Sequence, residues 1–193
     1  QNSQVVGAAP FIAAQALLAR GEDMRGAMVR GIEPVAEATV TPLAASMKDT
    51  FARLKSGEWG VLIGVELANA LGVREGDALT LVAPSGQVTP AGVVPRLKQV
   101  TVVGIFNAGH YEYDSGLVLM HADDAARLFR TGGPTGVQLK LKDAQDARRV
   151  AAELAESLGA DVIVRDWTHT NRTWFDAVQV EKRMMFIILT LIV

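Results

Sequence analysis

The chain has 193 residues, of which 49% are hydrophobic and 21% charged, and its formal net charge is -2. That is the composition of a folded chain with room for one large domain or two small ones; it excludes a disordered tail and the basic stripe that nucleic-acid binding needs. The absence of cysteine excludes a disulfide scaffold, a cysteine–zinc site and a thiol nucleophile, and it permits an oxidising compartment without requiring one.

The chain opens on Gln1, and no basic stretch followed by an apolar run and cleavage site is visible there, so no signal peptide is read. Val5 to Leu18 is strongly apolar, Met24, Ala27, Val29 and Ile32 alternate, and Arg20-Gly21-Glu22-Asp23 between them is a turn cluster. The pattern predicts a hairpin of two long strands. Pro34 and Pro42 punctuate the next segment, and Ser46 is expected to cap a short amphipathic helix with Phe51 and Leu54 on one face.

Trp59 to Gly64 reads as a buried strand and Val65 to Leu71 as a two-turn helix stopped by Gly72; Arg74 to Asp77 form a turn and Ala78 to Ala83 a further strand. From Pro84 to Arg96 the character changes. Pro84, Pro90, Pro95, Gly86 and Gly92 are expected to break strand and helix alike, while Val88, Val93, Val94 and Leu97 keep the segment partly apolar. With Arg96 and Lys98 at its far end, it reads either as a hairpin that inserts apolar side chains into a partner behind a charged rim, or as a disordered tip. The residues alone leave both readings open.

Gln99 to Phe106 and Gly116 to Met120 read as strands joined by the polar-aromatic stretch Asn107 to Asp114. His121 to Arg130 is expected to be a helix with Ala125, Leu128 and Phe129 inward, and Val137 to Leu141 a strand. A long amphipathic helix follows from Asp143, with Ala147, Val150, Ala151, Leu154 and Leu158 on one stripe and Gly159 at its end; Asp161 to Arg165 then reads as a strand. This β-α-β unit implies a sheet with helices on one face. From Asn171 one continuous helix is expected. It ends in Met184 to Val193, an apolar run with Thr190 as its only polar residue. That is about half of the ~20 residues a bilayer span needs, and its lack of a polar face favours the start of a transmembrane helix over a buried one.

No catalytic constellation emerges. P-loop, Gly-x-Ser-x-Gly, His-Glu-x-x-His and EF-hand patterns are absent. His110, His121 and His169 lack metal-ligand spacing and read as surface residues, since a zinc site needs at least three convergent ligands. Asp123-Asp124 opens a helix, where anions complement the macrodipole, and Glu112 with Asp114 has no nucleophile nearby. Neither an enzyme nor a cofactor is expected.

Several stretches resemble one family. Ala9-Pro10-Phe11-Ile12, Gly31-Ile32-Glu33-Pro34, Val103 to Asp114 and Glu181 to Leu189 are similar to segments of the lipoprotein-releasing permeases of ABC transporters, while Gly64-x-Glu66-Leu67-Ala68-x-x-Leu71-Gly72 is shared with the wider macrolide-exporter and division-permease superfamily. The resemblance covers essentially the whole chain. It implies an α+β fold: a porter-like β-α-β sheet with an inserted β-rich lobe, ending in the start of a transmembrane helix. On this mapping residues 1–35 and 134–170 are porter-like, 36–133 the inserted lobe with a hairpin at 84–98, and 171–193 the helix leading into the membrane. The family's first periplasmic strand and the helix after it would precede Gln1.

The resemblance further implies a periplasmic domain in the inner membrane of a Gram-negative bacterium. Its partners would be a cytoplasmic ATPase subunit, a second permease subunit (as homo- or heterodimer), an acylated lipoprotein and a periplasmic lipoprotein chaperone. Pro84, Gln87, Val88, Pro90, Val93, Val94, Pro95 and Arg96 occupy the place of the family's chaperone-binding hairpin. Phe175, Val178, Lys182, Arg183 and Met185 would couple the domain to the membrane helices. The alternative is a coupling domain of the macrolide-exporter or division type that recruits a periplasmic adaptor or enzyme.

Overall fold

The computed structural model describes residues 3–89, 92–159, 162–166 and 184–185. They fall into two compact units, Gly7–Lys140 and Gln1–Val6 with Leu141–Val193.

The larger unit starts from the expected hairpin, β1 (Val5–Arg20) against β2 (Asp23–Ile32), in register from Phe11↔Ile32 to Arg20↔Asp23. Gly21 supplies the positive φ of +61° that the two-residue turn demands. Ala16, Leu18, Ala27 and Val29 point inward and are buried, so the period-2 pattern fixes which face closes over the core.

Among the described residues the remaining strands are β3 (Gly60–Gly64), β4 (Ala78–Thr89), β5 (Gly92–Phe106), β6 (Leu117–His121) and β7 (Gly136–Leu141). The pairings return to their start: β1 with β2, β2 with β6, β6 with β3, β3 with β5, β5 with β4, and β4 back to β1. Six strands therefore close into a barrel, and β7 adjoins β1. Closure removes the open edges that a six-stranded sheet would otherwise expose. The first hairpin and the strands of 36–133 thus belong to one sheet. Val61, Ile63, Leu79, Leu81, Val102 and Met120 fill the barrel, each no more than 2% exposed.

Three short helices, α1 (Pro34–Val40), α2 (Pro42–Ser46) and α3 (Lys48–Phe51), lie over a second buried cluster of Ile32, Ala44, Phe51, Leu54, Leu62, Phe106 and Leu119. Pro34 and Pro42 are helix starters rather than breakers, because the first helical position has no N–H obligation. Ser46 does not cap the helix that follows. Its hydroxyl donates to the carbonyl of Leu43 and it ends α2, although Phe51 and Leu54 are buried as expected.

Helix α4 (Val65–Leu71) ends at Gly72 in the left-handed region, as read from the sequence. Asn107 to Asp114 is not simply a connection, since α5 (Tyr111–Gly116) begins within it and runs on to Gly116, the residue expected to start the next strand. Asp114 is buried and accepts from the backbone N–H of Ala108 at 2.7 Å. Helix α6 (Ala122–Phe129) is capped by His121, whose Nδ1 accepts from the N–H of Asp123, and it buries Ala125, Leu128 and Phe129.

In the smaller unit the N–H of Lys142 donates to the carbonyl of Gln4. Asp143 caps a 3-10 turn that runs into α7 (Ala147–Leu158). Ala147 and Val150 are buried, but Leu158 at the end of the expected stripe is 53% exposed. The strand expected over Asp161–Arg165 is not formed in residues 162–166, and Ile163 is 79% exposed. β-branched residues favour a strand only where a neighbouring strand offers ladder partners.

Candidate partner-binding site

Strands β4 and β5 outrun the barrel. β4 joins β1 only from Thr80 to Val82, and β5 joins β3 only from Thr101 to Phe106. Beyond those points they pair with each other, through Ala83↔Arg96 and then from Gln87↔Val94 to Thr89↔Gly92. The segment over 84–96, read from its residues as a hairpin or a disordered tip, is a two-stranded ribbon. Its prolines do not prevent it because the register shifts there: Pro84-Ser85-Gly86 lie opposite Pro95 alone. A bulge is where a missing ladder N–H is tolerated.

Of the residues singled out for partner binding, Gln87, Val88, Val93 and Val94 sit in the ribbon ladder. Pro84 and Pro95 are exposed at its bulge, and Pro90 lies outside the described residues. Val94 is 53% and Leu97 66% exposed. Leu97 also heads a lateral row, Leu97↔Val82↔Leu17, in which Leu17 remains 39% exposed on the outer face of the barrel. This is apolar surface that a partner can cover, carried on backbone fixed by the sheet.

Arg96 and Lys98 do not form a charged rim on that surface. The register puts them on the same sheet face as the fully buried Ala83 and Leu81. Arg96 Nη1 donates to the carbonyl of Leu128 at 3.1 Å, and its Nε is buried without a partner among the described residues. Lys98 Nζ stands 4.0 Å from the ring centroid of Trp59.

No sequence pattern signals what holds Trp59. The carboxylate of Asp124, fully buried, accepts the N–H of Gly57 at 2.9 Å and of Trp59 at 3.2 Å. Arg127 Nη1 lies 3.6 Å from the same carboxylate, and Ser56 donates to the neighbouring Asp123. The Asp123-Asp124 pair therefore locks the turn before β3 onto α6. Only its position at a helix start is legible in the sequence; the burial of Asp124 depends on a contact between residues far apart in the chain.

Of the membrane-coupling set, Phe175, Val178, Lys182 and Arg183 lie outside the described residues. Met185, with Met184, is helical and 58% exposed. Among the described residues no helix is long and apolar enough to cross a membrane.

A closed barrel with a projecting ribbon, followed by a strand and an amphipathic helix, defines the class. The chain belongs to the family of MacB-like periplasmic core domains, whose model matches residues 1–157. It is 47% identical over 192 residues to the lipoprotein-releasing system transmembrane protein LolC of Neisseria meningitidis serogroup B, covering 98% of this chain and 46% of that protein. It is 42% identical to the LolC protein of Xylella fastidiosa, covering all of this chain and 46% of that one. The chain thus spans about half the length of these relatives. Its fold is also that of the extracellular domain of the noncanonical ABC-type transporter YknZ from Gram-positive bacteria: TM-score 0.50, 13% identity, 82% of this chain and 79% of that chain. The matches bear out the resemblance to the lipoprotein-releasing permeases and the α+β fold that it implied.

Proposed function

We propose that this chain is the periplasmic domain of an inner-membrane permease subunit that releases lipoproteins and hands them to a periplasmic chaperone through the β4–β5 ribbon. The observation that carries the reading is the 47% match to a LolC protein across nearly the whole chain. The ribbon supports the location: it leaves the barrel on two strands and presents Val94 and Leu97 to solvent. In this account a separate ATPase subunit supplies the energy and a second permease subunit completes the membrane part. The segment around Phe175, Val178, Lys182, Arg183 and Met185 passes motion between membrane and domain.

The reading is tested by replacing residues 85–93 with a two-residue Asn-Gly turn in the full-length permease and pulling down with the lipoprotein chaperone. The expected result is loss of the captured complex while the permease still assembles with its ATPase. Capture at the unaltered level sinks the ribbon role.

A further inference from the structure

The direction of the ribbon is a structural variable in its own right, because a bulge separates it from the barrel. Pro84-Ser85-Gly86 lie opposite Pro95, so the joint contains two residues that cannot donate to a ladder. Proline holds φ fixed and a bulge bends its strand in a set sense, so the ribbon follows the direction of β5 just below the joint, where β5 pairs with β4 but not yet with β3. We propose that Arg96 and Lys98 are positioning residues that tie β5, just below the bulge, to α6 and Trp59, and so fix the direction in which the ribbon leaves the barrel.

Three observations converge on this. First, Arg96 and Lys98 lie across the ladder from Ala83 and Leu81, both 0% exposed, so their side chains start on the covered face. Second, the carbonyl that Arg96 Nη1 reaches belongs to Leu128, in the last turn of α6. Carbonyls there have no intrahelical donor, and a cation at that end also complements the helix dipole. Third, Lys98 Nζ is 4.0 Å from the centroid of Trp59, whose backbone is held by the buried Asp124 of the same α6. A cation over an aromatic face that is itself immobilised is a directional tie. Both ties end on one helix, one directly and one through Trp59, so the ribbon base is referenced to α6 from two points.

The inference rests on the ribbon reading only for its consequence in partner capture; the direction itself is measured without a partner. The chain has no cysteine, so paired spin labels can be placed at Thr89→Cys in the ribbon and Val35→Cys on α1. The experiment uses the full-length permease, with any cysteine outside this chain replaced, and reads the distance distribution by pulsed electron resonance.

The unaltered protein is expected to give a single narrow maximum. Arg96→Met with Lys98→Met keeps both alkyl stems for packing and removes both ties; the narrow maximum is expected to be lost. Arg96→Lys, which still offers a donor to the Leu128 carbonyl, is expected to retain it, and Leu97→Ala on the opposite face to leave it unchanged. If the double variant does not fold, Lys98→Met alone decides by the same criterion. A distribution as narrow and as placed as the unaltered one in the Met variant overturns the proposal, whatever capture does. A lost maximum supports the positioning role whether or not capture changes, and the ribbon's part in capture is decided separately by the replacement of residues 85–93.

Discussion

Asp124 Oδ2 accepts the backbone N–H of Trp59 at 3.2 Å, and Trp59 stands at φ +56°, a left-handed conformation that costs a bulky residue energy. The same fully buried carboxylate takes the N–H of Gly57. A strained turn is thereby converted into a fixed platform at the foot of the ribbon, with Lys98 over its aromatic face.

Removing that carboxylate leaves two N–H donors without their acceptor. Asp124→Ala is expected to cost about 3 kcal/mol, and Asp124→Asn, which keeps one acceptor oxygen, about half as much. Urea unfolding of the two variants gives both numbers. A loss below about 1 kcal/mol for the alanine would show that water replaces the carboxylate.

Gly64 has no room for a side chain. A Cβ there would lie 2.3 Å from the carbonyl oxygen of Asp114 and 2.6 Å from its Cα, backbone atoms that cannot rotate away. Gly64→Ala is expected to destabilise by about 3 kcal/mol or to prevent folding. Gly26 on β2, where a methyl group would meet nothing within 4 Å, provides the control. Gly26→Ala is expected to be neutral or slightly stabilising in the same melt.

Arg30 and Glu37 form a largely buried pair at 3.4 Å, with side chains 21% and 5% exposed. Arg30 also stacks 4.2 Å over Phe11 and bonds Gln138, while Glu37 accepts from the Thr41 hydroxyl at 2.7 Å. Glu37→Leu alone leaves the guanidinium uncompensated and is expected to cost about 3 kcal/mol. Arg30→Met with Glu37→Leu is expected to recover most of that loss in a double-mutant cycle. A double variant as unstable as the sum of the singles would show that the two residues act independently.

Much of this fold can be read from the chain. Alternation at Ala16, Leu18, Ala27 and Val29 locates the first hairpin and its inward face, and Gly72 marks the end of α4. Proline misleads twice for one reason, because its effect depends on position rather than identity. Pro34 and Pro42 start helices, and Pro84 and Pro95 are absorbed by a bulge. Barrel closure is not legible, since it joins β1 to β4 across more than sixty residues of sequence through Leu17↔Val82. Nor is the inward turn of Arg96 and Lys98, because the face a strand residue takes is set by register with its neighbour. The apolar content of the ribbon is visible in the sequence, and Val94 and Leu97 are exposed.

Val94 and Leu97 are exposed, so their loss has little to change in the fold. Val94→Ser with Leu97→Ser is expected to alter stability by no more than about 0.5 kcal/mol. Chaperone binding is expected to weaken at least about tenfold, measured with immobilised full-length permease. Equal affinity would remove them from the contact.

Crosslinking from within the ribbon asks whether it meets a lipoprotein chaperone. A photoreactive residue at Val94 of the full-length permease, activated in intact cells, is expected to yield one principal adduct containing the periplasmic lipoprotein chaperone. Adducts with a cell-wall factor or an adaptor protein, and none with the chaperone, would contradict the account and favour a coupling domain of the exporter or division type.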